Sequence, residues 1–393
     1  MAVNVLVAPD SFKGSLTARS AAEAMASGIR RADPDCTVRV VPIADGGEGT
    51  AEAMIAAQGG RRVEVEVRDP LGRIVTAAYG VLPDGTVVMD VASTSGLGLV
   101  ASTELDVWNA STHGVGDMLR HALDAGFRQF VVGLGGSATN DCGMGMLQAL
   151  GARLWDAAGQ EITRATPDTC RAVRRLDLSL LHPAIREASI RVACDVANPL
   201  CGPEGATAVY GPQKGVRPEW IPELDAVLFK LGSALTDASG VDVLGQLPGA
   251  GAAGGLGAAF VAGLGAKLVG GIELVLSMLD FDSRLRSADL VFTGEGRTDA
   301  QTAFGKAVLG VATAAARAGV PVICLSGAVT DDARVLYQRG VTALFSVAQQ
   351  PASLAEAQAN AADWAARSAE SAMRLFLAGR QSALKSREPQ QLR

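Results

Sequence analysis

Short apolar runs that break off in glycine, serine or a carboxylate constrain this chain more than any other feature. They are "VNVLVAPDSFKGS" (3–15), "VRVVPIADGGEGT" (38–50), "FVVGLGGSATND" (130–141), "IRVACDVANPL" (190–200), "LVFTGEGRTD" (290–299), "VPVICLSGAV" (320–329) and "ALFSVAQ" (343–349). Between several of them lie alanine-rich stretches with helical spacing, such as Ala18 to Arg31 and Gly305 to Ala318. β-rich runs alternating with helices predict an α/β fold built on a mainly parallel, doubly wound sheet. In that architecture ligands sit outside the carboxyl ends of the strands, so the terminal glycines and carboxylates fall on the binding edge.

Residues 61–92 follow a different rule. Their two-residue alternation around the turn Pro83 to Gly85 predicts an antiparallel hairpin. A chain of 393 residues exceeds the usual size of one core. The expected organisation is therefore a discontinuous first domain, 1–60 with 288–380, interrupted by an inserted α/β domain, 61–287. A polar, disordered tail is expected over 381–393.

Composition narrows the partners. A net charge of −6 without a Lys/Arg stripe argues against nucleic acid. The uncharged stretch Val243 to Ala266 is too rich in Ala and Gly for a membrane span, so no membrane partner is expected. Six scattered cysteines without a C-x-x-C pair, and no visible signal peptide, predict a cytoplasmic protein. The three histidines, His113, His121 and His182, lack zinc-hydrolase spacing. There is no G-x-S-x-G elbow around Ser326, and "FGKAV" (304–308) lacks the first glycine and the hydroxyl of a Walker A loop.

Two readings of "VVGLGGSATND" stand side by side. Gly133, Gly135 and Ala138 fit a loose dinucleotide pattern, with Asp156 downstream, as in an NAD-dependent hydroxy-acid dehydrogenase. The preferred reading is a loop whose N–H groups meet phosphate oxygens; a tight turn with Asn140 or Asp141 as a helix cap is the structural alternative. Carboxylates at run ends (Asp10, Asp45, Glu48, Asp141, Asp195, Glu295, Asp299) beside such loops suit Mg²⁺ and nucleotide phosphates. Lys13, Lys214, Arg297 and Lys306 could offset phosphate or substrate charge.

"APDSFKGSL" (8–16), "PIADGGEGT" (42–50), "GLGGSATND" (133–141), "ACDVANPLCGPEGA" (193–206), "YGPQKG" (210–215), "PGAGAAGGLGAA" (248–259) and "TGEGRTDAQTAFGK" (293–306) resemble the motifs of bacterial glycerate kinases. The resemblance implies a flavodoxin-like domain joined to a second α/β domain. It also implies ATP- and Mg²⁺-dependent phosphorylation of D-glycerate, with 2-phosphoglycerate favoured over 3-phosphoglycerate, in organic-acid breakdown; it leaves room for a homo-oligomer. Cys142 departs from the pattern, where glycine is more usual. The expected substrate set is Ser11, Lys13, Asp45, Gly47, Glu48 and Asn198. The expected phosphate set is Gly135, Gly136, Ser137, Thr139, Asn140, Lys214, Arg297 and Lys306, with Glu295 and Asp299 for metal. Asp195 is the expected proton acceptor and Asp45 its rival. Dense helix packing is expected for the Ala/Gly stretch 249–271. A sensor of the same fold without turnover is the non-enzyme alternative.

Overall fold

A computed structural model of the chain describes residues 2–44, 46, 47, 49–245, 247–303 and 307–385. The chain divides into two compact units, Met1–Asp45 with Val275–Arg393, and Gly46–Leu274. It begins in the first unit with β1 (Asn4–Val7) and β2 (Thr37–Val40). The second unit then contributes β3 (Arg61–Arg68), β4 (Ile74–Val81), β5 (Val87–Asp90), β6 (Gln129–Gly133), β7 (Arg153–Asp156), β8 (Val173–Asp177), β9 (Ser189–Ala193) and β10 (Lys267–Val269). The return to the first unit adds β11 (Leu290–Thr293), β12 (Arg297–Thr298), β13 (Val322–Ser326), β14 (Ala328–Val329) and β15 (Ala343–Ser346).

The first unit's main sheet is wholly parallel in the order β15-β13-β11-β1-β2. Counted along this unit alone, that is the 2-1-3-4-5 order of flavodoxin-like sheets. Both faces are covered, as a parallel sheet requires. Ile323 and Leu325 of β13 join one core with Val5, Met25, Ile29, Phe292 and Trp364, while Cys324 between them faces another with Val308, Ala312 and Leu336. Helix Ala18–Ala32 starts where the Thr17 hydroxyl accepts from Ser20 N at 3.1 Å, and its apolar stripe packs on helix Ala361–Lys385. That second helix continues through Gln381–Lys385, so the expected disordered tail is corrected there: backbone helical bonding carries past residue 381. Residues 386–393 lie outside the described residues.

The second unit's sheet is mixed, in the order β10-β9-β6-β5-β4-β3. β3, β4 and β5 pair antiparallel, and β5 also pairs parallel with β6, so the hairpin region forms the edge of a sheet that is parallel from β5 onwards. Helix Thr50–Gln58 packs on β4 and β5, which is why the units divide before residue 46 rather than at the composition shift near 60. Among the described residues no helix is long and apolar enough to cross a membrane.

Candidate active site

In the first unit the strand order reverses between β1 and β11, the switch point where neighbouring loops part and leave a crevice. The loops after these two strands touch. Asp10 N donates to Gly294 O at 2.8 Å, and Gly296 lies against the backbone of Phe12 and Lys13. Ser11 and Lys13, the latter exposed, are thereby brought beside the segment of Glu295, Arg297 and Asp299. The short pair β12–β14 pins that segment to the end of β13. Glu295 is only 9% exposed, and its Oε1 accepts from the hydroxyls of Thr302 at 2.6 Å and Thr298 at 3.2 Å. Thr298 also shares a 2.7 Å bond with the Ser326 hydroxyl. Asp299 accepts from Gln301 N at 2.9 Å and pairs with Arg297 at 3.5 Å. Cys324 beneath this network is a buried thiol pushed up to about 12 by burial, and so is not a nucleophile.

Carboxylates oriented by hydroxyl donors, as Glu295 is, or by a backbone amide, as Asp299 is, are hard-oxygen ligands, and Mg²⁺ needs only one or two of them besides phosphate oxygens. Glu295 and Asp299 therefore fit that ion, although no group of three potential ligands occurs among the described residues. Asp45, Glu48 and Lys306 lie outside the described residues.

In the second unit the parallel strands bring Asp90, the 133–141 loop, Asp195 and Gly271 to one edge. Gly46 and Gly49 take φ of 87° and 88°, and the Gly46–Gly47 backbone passes directly over the end of β6. A Cβ on Gly133 would stand 2.5 Å from Gly46 O and 3.0 Å from Gly47 O. The clustered glycines thus serve close backbone approach. Asp90, which no motif singled out, holds the following helix: its Oδ2 accepts from Gly49 N at 2.9 Å and its Oδ1 from Ala51 N at 3.3 Å. Its signal was present, a carboxylate ending an apolar run, but the run reads as part of a hairpin.

Asp195 is exposed after β9, and its Oδ1 accepts from Gly271 N at 2.6 Å, the first residue of helix Gly271–Met278. Asn198 is differently engaged from the expectation. Its Nδ2 donates to Glu204 O at 2.8 Å and its Oδ1 accepts from the Tyr210 hydroxyl at 2.6 Å, so the side chain ties the 198–210 turn.

The 133–141 loop is built on backbone contacts. Ala138 N donates to Ser95 O at 2.8 Å and Leu97 N to Gly136 O at 2.8 Å. Ser137 Oγ accepts from Thr139 N at 3.2 Å and meets Thr139 Oγ1 at 3.0 Å. The side chains of Ser137, Thr139 and Asn140 are buried; Asn140 Nδ2 donates to Thr207 Oγ1 at 3.0 Å, while its Oδ1 is buried without a partner. Gly135 and Gly136 are the accessible part of the loop. Asp141 is the internal cap of the turn before helix Met144–Ala149. Its carboxylate accepts from Thr112 N and Oγ1 at 2.8 Å each and from Gly143 N and Gly145 N at 3.1 Å each. Burial raises its pKa, against those four donors.

The Ala/Gly stretch is more than packing. Ala253, Gly254 and Gly255 are all left-handed, with φ of 51°, 72° and 91°, inside segment Ala252–Leu264. This turn meets a second left-handed residue, Cys142 at φ 52°, through Cys142 N donating to Gly254 O at 3.0 Å. A left-handed backbone is the physical reason glycine suits position 142. Lys214, expected at phosphate, is instead 2% exposed, and its Nζ donates to Thr139 O at 2.6 Å. The 3₁₀ turn Pro212–Lys214, closed by Gly215 at φ 85°, sends the side chain inward. The dinucleotide arrangement does not form: no helix begins at Gly135–Ala138, and Asp156 caps a hairpin turn through Ala158 N and Gln160 N at 2.9 Å each.

Comparison with known proteins places these motifs. The model of the glycerate kinase family matches residues 5–377. The Bacillus subtilis strain 168 "Glycerate kinase" is 43% identical over 93% of this chain and 96% of its own length. The Escherichia coli K12 "Glycerate 2-kinase" is 43% identical over 92% of this chain and 94% of its own length. A crystal structure from Salmonella typhimurium LT2 described as glycerate kinase 2 superposes with a TM-score of 0.86 at 44% identity, covering 97% of this chain and 100% of that one. The chain belongs to the glycerate kinase family.

Proposed function

We propose that this protein transfers the γ-phosphoryl group of ATP to the 2-hydroxyl of D-glycerate, giving 2-phosphoglycerate in the breakdown of organic acids. The observation that carries this reading is the near-full-length similarity to the Escherichia coli glycerate 2-kinase. Phosphoryl transfer asks a protein to position the reactants, neutralise charge and take up the hydroxyl proton. In the first unit, Lys13 meets the glycerate carboxylate with Ser11 beside it, and Arg297 faces the phosphates. Glu295 and Asp299 hold Mg²⁺, which when bound neutralises charge on the phosphate oxygens. In the second unit, the amides of Gly135 and Gly136 donate to phosphate, and Asp195 accepts the hydroxyl proton. Gly47, Glu48 and Asp45 complete the proposed substrate set, with the Asp45 carboxylate assigned to a glycerate hydroxyl. All six cysteines are free, which fits a reducing cytoplasm.

A coupled assay of ADP release with D-glycerate, beside NADH absorbance with NAD, tests the reaction class. Glycerate-dependent ADP release is expected. NADH formation would move the protein to the dehydrogenases, and silence in both would make it a sensor. Lys13→Met should raise the KM for glycerate about tenfold, equivalent to about 1.4 kcal/mol, and leave the KM for ATP within about twofold. The opposite split would assign Lys13 to the nucleotide.

A further inference from the structure

We propose that Lys214 is a positioning residue: its buried ammonium fixes the Thr139 carbonyl and so aims the accessible Gly135–Gly136 segment of the loop at phosphate. This rests on the proposed reading that the loop receives ATP. At 2% exposure the ammonium is inside the second unit, out of reach of a ligand that approaches through solvent. Its 2.6 Å bond to Thr139 O is a charge-assisted one. Three backbone ties also hold the loop: Ala138 N to Ser95 O, Leu97 N to Gly136 O, and Cys142 N to Gly254 O. None of these reaches the carbonyl of Thr139; the Ser137 hydroxyl approaches it only at 3.5 Å and from within the loop itself, so Lys214, at 2.6 Å, supplies the anchor from outside the loop between the accessible glycines and the left-handed turn at Cys142.

Burying an ammonium is costly, and that cost argues against a packing role. Desolvation pulls the Lys214 pKa down from 10.5 to about 8, only partly opposed by the Asp141 carboxylate. An apolar side chain of similar length would fill the space without that penalty. What the apolar side chain lacks is a donor for Thr139 O.

Lys214→Met tests the assignment in the full-length protein. ATP affinity is measured by calorimetry, and the KM values for ATP and D-glycerate by ADP release. A modest loss of thermal stability is expected from the buried carbonyl left without the lysine, with the Kd and KM for ATP raised about tenfold and the KM for glycerate within about twofold. Lys214→Gln, which keeps a donor without the charge, is the second variant and should show the same split at about threefold. A folded variant whose KM ratio is unchanged overturns the positioning role while the kinase reading stands. Failure of both variants to fold also overturns it, because the lysine is then structural. A wild-type protein that binds no ATP overturns the nucleotide reading and this proposal together.

Discussion

Asp195→Asn should lower kcat by about 10²- to 10³-fold, within the range general-base catalysis contributes, and leave the KM for glycerate within about twofold. The substitution is chosen for what it preserves. Asparagine Oδ1 can still accept from Gly271 N, so the 2.6 Å contact that orients the side chain survives, and with it the start of helix Gly271–Met278. Only the capacity to take a proton is removed. A carboxylate is ionised at neutral pH and needs only hydrogen-bond reach of the hydroxyl. Asp195→Ala provides the contrast, because it removes the helix contact too and should cost about 1 kcal/mol of stability. Asp45→Asn, the rival, should act mainly on the KM for glycerate. If Asp195→Asn turns over within about threefold of wild type, Asp195 is a capping residue and Asp45 takes over as proton acceptor.

The second large effect is structural. Gly254→Ala should destabilise the protein by about 3 kcal/mol, from a left-handed penalty of about 1–2 kcal/mol plus an overpacking cost of about 1–3 kcal/mol. At Gly254 the new Cβ would stand 2.1 Å from Thr139 O and 2.7 Å from Asn140 Cα, backbone atoms that cannot turn aside. Relief must come from moving the loop, so the surviving folded enzyme should also show a raised KM for ATP. Gly265→Ala separates the two contributions. Gly265 has φ 67° but nothing within 4 Å of its Cβ position, so it carries the conformational penalty alone. Thermal melting of both variants reads the difference. Equal losses would mean that the lock between residues 253–255 and the loop does not hold it.

Much of this architecture was legible because strand-loop-helix alternation is a local signal. The apolar runs beginning at residues 3, 290 and 320 contain β1, β11 and β13, those beginning at 130 and 190 hold all but the first residue of β6 and β9, and the helix read from Ala18 begins there. What escaped was set by contacts distant in sequence. Asp90 looks like the end of a hairpin strand until β5 is seen beside β6 and the Gly46–Gly49 turn above it. "GAAGG" reads as smooth packing because sequence carries no sign of φ, yet Cys142 in a place usual for glycine hinted at the facing left-handed turn. Lys214 reads as a cation for phosphate because burial of a lysine depends on a carbonyl far along the chain, at Thr139. Among the proposed site residues, those brought together most plainly are Ser11, Lys13, Glu295, Arg297 and Asp299, since their loops follow adjacent strands.

The most direct test is phosphorus NMR of the product formed from ATP, Mg²⁺ and D-glycerate. A single new phosphate-ester signal, split into a doublet by the one proton on C2 and rising in step with ADP, is the predicted result. A triplet from the two protons on C3 would contradict transfer to the 2-hydroxyl, and the absence of any glycerate-dependent ester from a folded protein would contradict the kinase itself.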